Sequence, residues 1–144
     1  MSKSRKVNGF TLTEIMITLV ILGILAAIAI PAYFRTVEQS RSNEAITNLN
    51  IIHMAEKISR LNASPQTFWG PGATTIAAIN TALNTDIGAT FYDTVSVSIT
   101  GTTQYTARLT RNAVSGGNGT DYYQYAFTDG NAAPTCTKTG AVVC

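Results

Sequence analysis

Residues 9–31 run GFTLTEIMITLVILGILAAIAIP: a single carboxylate, Glu14, and then an apolar stretch that closes on Ile30-Pro31. Residues 15–32 carry no charge. As a helix rising about 1.5 Å per residue, that length crosses most of a roughly 30 Å hydrocarbon core. Ile, Leu, Val and Ala fall on every face of the helical wheel, the pattern of a helix surrounded by lipid or by copies of itself. Gly23 weakens such a helix by about 1 kcal/mol relative to Ala, and Pro31 removes a backbone donor and crowds the carbonyl of Ala27, so the turns between them are expected to bend or melt easily. Lys3, Arg5 and Lys6 stand just before the stretch. Basic residues on that side keep the N-terminus in the cytoplasm and send the chain beyond residue 32 outward.

The first nine residues are short, basic and polar, which suits a processing segment better than a folded element. An ordinary secretory signal has the same basic start, and Ala27-Ile28-Ala29 would serve as its cleavage site. Against that reading, the apolar run exceeds the usual 7–15 residues and a helical pattern resumes after Pro31. Glu14 is open to two readings as well. It either rests in the interfacial layer or needs a partner, because an ionised group inside a membrane is costly and commonly functional.

The Gly9-Phe10-Thr11-Leu12-Thr13-Glu14 junction, its short basic leader and its apolar helix resemble the type IV pilin family. Gly23 and Pro31 fall where that family interrupts its helix, and cysteines near the C-terminus are similar to its disulfide loop. The resemblance is specific to about residue 61 and architectural beyond. It implies a precursor anchored in the bacterial inner membrane, a prepilin peptidase that cuts between Gly9 and Phe10, and methylation of the new Phe10 amine. It implies also that Glu14 pairs with the terminal amine of a neighbouring subunit, setting axial register in an apolar filament core. The product is then an extracellular homopolymer serving adhesion or motility, driven by assembly machinery with a separate ATPase. A secretion pseudopilin, a minor pilin that binds DNA or a surface, and a secreted or single-span domain unrelated to filaments are the alternatives.

After Pro31 the apolar period persists at Phe34, Val37, Ala45, Leu49, Ile52, Ala55, Ile58 and Leu61, predicting an amphipathic helix to about residue 62. Arg35, Glu38, Arg41, Glu44, Glu56, Lys57 and Arg60 are placed on a solvated opposite face, with Glu56 and Arg60 in the favourable i,i+4 order. Residues 62–88 contain loop signals around Phe68 and Trp69, read as aromatics that anchor a loop to the core, and then a short helix capped by Thr74 or Thr75 and running to Leu83. Three period-two runs come next at 91–99, 104–111 and 122–128, with Tyr105, Ala107, Leu109, Tyr123, Tyr125 and Phe127 facing inward. The tail from 129 reads as an irregular loop with one short strand at 141–143. Together these predict an α+β fold: a leader (1–9), an apolar membrane and assembly segment (10–32), and a globular domain (33–144) whose helix packs on an antiparallel meander of three to four strands.

The formal charge of +2 rests on the leader: beyond it, seven basic residues face eight acidic ones. Arg108, Arg111 and Lys138 are too few for a nucleic-acid patch, and no specific nucleic acid is expected. Asp86, Asp93, Asp121 and Asp129 are scattered, so neither calcium nor any other metal or cofactor is expected. His53 has no companions suited to catalysis or metal binding and reads as structural or surface, and the absence of a nucleotide loop or activated nucleophile predicts no enzyme. Cys136 and Cys144, in an oxidising compartment, read as one local disulfide worth about 2–3 kcal/mol, with two inert thiols as the alternative.

Overall fold

The computed structural model describes residues 9–70, 75–88, 90–112, 120–129, 133–138 and 141–142. The chain divides into two compact units, Met1–Gln39 and Ser40–Cys144. Helix α1 (Leu12–Asn62) contributes to both and is helical throughout, with Pro31 inside it. In the first unit no residue of the apolar helix is buried. Thr18 and Thr36 turn their hydroxyls back to the carbonyls of Ile15 and Ala32, at 2.8 and 3.1 Å, so these two hydroxyls are satisfied within the helix.

In the second unit the buried face of α1 is Ala45, Asn48, Leu49, Ile52, His53, Ala55 and Glu56. The expected stripe, whose first member Phe34 is 66% exposed, holds from Ala45 to Ala55 and then leaves its face. Ile58 and Leu61 are 61% and 72% exposed, and the side turned inward continues instead through Glu56 and Arg60. Glu56, expected in water and paired with Arg60, is fully buried and accepts a 2.9 Å hydrogen bond from the Trp69 amide. Arg60 lies over the Phe68 ring and pairs with Asp129 at 2.7 Å. Glu44 is a second departure from the solvated face: its Oε1 accepts from the amides of Thr90 and Phe91, at 2.7 and 3.0 Å, and ties the approach to the sheet onto the helix.

Helix α2 (Ile76–Leu83) starts where Thr75 accepts a hydrogen bond from the Ala78 amide and stops at Asn84, which takes a left-handed conformation at φ 51°. Ile79 and Leu83 are its buried residues. The five strands β1 (Thr94–Thr100), β2 (Gln104–Thr110), β3 (Tyr122–Thr128), β4 (Thr135–Lys138) and β5 (Ala141–Val142) form one antiparallel sheet in chain order. The β1–β2 turn places Gly101 at φ 66°, a conformation glycine adopts without penalty. Strand β4 lies where an irregular tail was expected. Its sole apolar side chain is Cys136, so it offers no alternation to read.

Register puts the inward residues opposite one another: Val95 faces Leu109, Leu109 faces Tyr123, and the small Ala107 stands between Val97 and Tyr125. Tyr92, which the alternation put on the polar side with Phe91 inward, is 1% exposed. The strand begins only at Thr94, so the alternation does not govern residues 91–93. Phe68 is buried with its ring 4.9 Å from Tyr105, and Trp69 packs at the margin of the same core, as anchors of their loop. Three sheet tyrosines direct their hydroxyls to polar groups on α1: Tyr123 donates to Ser42 at 2.7 Å, Tyr125 to Asn50 at 2.9 Å, and Tyr105 shares a hydrogen bond with His53 Nδ1.

Candidate assembly site

The sequence Thr11-Leu12-Thr13-Glu14 closes the first turn of α1 on itself. The Thr11 hydroxyl accepts from the Glu14 amide at 3.2 Å, and the Glu14 Oε2 accepts from both the amide and the hydroxyl of Thr11 at 2.8 Å. This reciprocal capping satisfies donors that every helix N-terminus leaves open. A Thr placed three residues ahead of a Glu, just before an apolar run, is its sequence signature, and a reading of Glu14 as an isolated carboxylate passes over it. Both side chains are exposed, so the cap holds Glu14 at the helix start with its carboxylate accessible.

Gly9 and Phe10 precede the helix, outside regular structure, and Phe10 is 86% exposed. Around Gly23 an added Cβ would meet nothing within 4 Å, so no packing demand within the chain accounts for the glycine. From Ile15 to Ile30 every large apolar side chain is exposed. One helix is long and apolar enough to cross a membrane, and the window that qualifies it is wholly unburied. In the second unit Ile51, Met54, Ile58 and Leu61 form a further exposed apolar row on α1, and the first three line an open groove with Ala82 and Leu83 of α2.

Among the described residues no group of His, Cys, Asp and Glu is arranged to hold a metal. His53 is buried, and its burial together with Lys57 pushes its pKa below the usual histidine range. Cys136 is buried on β4 and is not a free thiol. Cys144, its expected partner, lies outside the described residues, as do residues 1–8 of the expected leader.

Residues 4–30 match the family model described as the prokaryotic N-terminal methylation motif. The type IV major pilin protein PilA of Myxococcus xanthus is 51% identical over 50 residues, which is 35% of this chain and 23% of that protein. Over its N-terminal helix the chain is similar to pilin-family proteins. Other similar proteins divide between fimbrial and secretion proteins: fimbrial protein EcpC of Eikenella corrodens is 58% identical over 38 residues (26% of this chain, 25% of that one), and the type II secretion system core protein G of Vibrio cholerae is 38% identical over 64 residues (44% of each). The chain therefore spans less than half the length of the relatives it matches. No solved structure gives a significant match. The helix that carries these matches and an α+β sheet domain are joined in one chain.

Proposed function

We propose that this chain is a structural subunit of a type IV pilus, cut after Gly9, N-methylated at Phe10 and polymerised through its apolar helix. The observation that carries this reading is the uncovered apolar surface of α1, which needs lipid before assembly and neighbouring subunits after it. In this reading the precursor sits in the inner membrane with its N-terminus in the cytoplasm, and a prepilin peptidase and a separate ATPase act on it. Glu14, presented at the helix start, offers a carboxylate to the Phe10 amine of a neighbour. Gly23 and Pro31 mark where the helix can soften in the filament, and Cys136 and Cys144 close the C-terminal loop. Such a contact repeats head to tail and does not close, giving an open fibre supporting adhesion or motility.

Mass spectrometry of the mature chain is expected to find N-methylated Phe10 first. A chain beginning near Ile30 would instead establish an ordinary signal peptide and end the pilin reading. Glu14→Ala is expected to be processed but to form no surface filaments; wild-type amounts by electron microscopy would remove the pairing role. The match to core protein G favours, as second reading, a pseudopilin of a secretion system. Surface filaments composed mainly of this chain decide for the pilus.

A further inference from the structure

Glu56 is the one carboxylate of α1 that reaches the inside of the domain, and it is incompletely satisfied there. Its Oε2 accepts from the Trp69 amide at 2.9 Å, while its Oε1 is buried without a hydrogen-bond partner. The segment it holds, residues 66–70, has other attachments: at its exposed edge Arg60 Nε donates to the Gln66 carbonyl at 3.4 Å. Phe68 is sunk between Tyr105 and Phe127, and Gly70 lies so close to Ile99 that an added Cβ would come within 2.5 Å of its side chain. Trp69, between these two, is only partly buried. Its amide hydrogen bond to Glu56 is thus the part-buried polar tie of the segment, and it ends on a group that can gain or lose a proton.

We propose that Glu56 is a proton-controlled latch: protonated, it keeps the Trp69 segment closed on the core, and ionised, it admits water and lets that segment lift. The physical basis is asymmetry between the two forms. A neutral carboxyl in an apolar interior leaves one weakly compensated polar atom, whereas the carboxylate leaves a desolvated charge, and water reaching it is worth far more. The ionisable groups around it do not compensate. On α1, Arg60 is engaged by Asp129, Lys57 lies over the Phe127 ring and His53 is held by Tyr105. From the sheet come the hydroxyls of Tyr105 on β2 and Tyr125 on β3, which supply no positive charge, and residues 66–70 contain no ionisable side chain. Burial accordingly pushes the Glu56 carboxyl up to about 7, against the opposing pull of the Trp69 amide.

Trp69 is the single tryptophan of the chain, so its fluorescence reports the segment directly. In the full chain held in detergent micelles, its emission is expected to shift to the red as the pH is raised from about 5 to about 9, with a midpoint near that of Glu56. Glu56→Gln is expected to abolish the shift and keep the emission blue at both ends. A shift that persists in Glu56→Gln, or one that only His53→Gln removes, assigns the transition elsewhere and overturns the latch. Should Glu56→Gln fail to fold, the wild-type chain decides: the carboxyl carbon resonance of Glu56 is expected to titrate with the same midpoint as the Trp69 indole signal. A Glu56 carboxyl that titrates in the ordinary range, or without movement of Trp69, overturns the proposal equally.

Discussion

Glu44 and Glu56 show what a residue-level reading misses. Both carry the charge and spacing of a solvated helix face, and both are taken up by backbone arriving from elsewhere, residues 90–91 for the first and Trp69 for the second. Charge and period can be read along one helix; the loop that will cross it cannot. Removing the Glu44 carboxylate orphans two amides, so Glu44→Ala is expected to lower stability by about 1–3 kcal/mol, measured by denaturant unfolding. For Glu56 the pH dependence has a definite sign. Its carboxyl titrates at about 7 in the folded chain against 4.5 without the fold. Between those values the native state holds one proton more than the unfolded state. Its contribution is therefore fully present below about 4.5 and is lost as pH rises through about 7, at most on the order of 3 kcal/mol. His53 slopes the other way: buried neutral, it favours the fold above the ordinary histidine range and loses that contribution on acidification. Denaturation midpoints at pH 5 and pH 8 are expected to show Glu56→Gln losing stability on acidification, where the wild-type chain is compensated.

At the scale of elements, the two helices, the three principal strands and the inward residues of β2 and β3 were legible because each carries a period or a cap that stands by itself. Thr75 capping α2 is the clearest case. The departures share one cause, that a pattern extends on paper past the element that generates it. The apolar period of α1 continues through Ile58 and Leu61 although the sheet ends its cover at Glu56, and the alternation of β1 continues back to Phe91 although the ladder starts at Thr94. Strand β4 had the opposite problem, pairing with β3 through a sequence that has almost nothing apolar to alternate. The capping interaction at Thr11 yields an element-level prediction. Thr11→Ala is expected to fray the first turn, costing the helix about 1 kcal/mol, seen as faster amide exchange at Thr13 and Glu14 in micelles.

The whole molecule places a sheet domain with its own buried core in the same chain as a helix whose most apolar portion is uncovered. The proposed assembly residues, Gly9, Phe10, Glu14, Gly23 and Pro31, are read from residue type, because membrane chemistry marks sequences strongly. The proposed cover of that helix, lipid or neighbouring subunits, is not written in a single chain. Reduction of the proposed Cys136–Cys144 bridge is expected to lower the melting temperature of the domain by several degrees, and Cys136→Ser to reproduce it, with calorimetry as the readout.

The tyrosine hydroxyls that meet Ser42, Asn50 and His53 bear on assembly in another way. Apolar contact between a helix and a sheet is nearly indifferent to a small slide or roll of one over the other. Three polar tips spaced along the helix are not: displacement by a single residue would break all three pairings at once, with the greatest cost at the buried His53–Tyr105 pair. They act as detents, adding little to how firmly the parts adhere and much to how singly they fit. In the proposed filament such single seating has a use, because an error of seating in one copy is passed on to every copy placed after it.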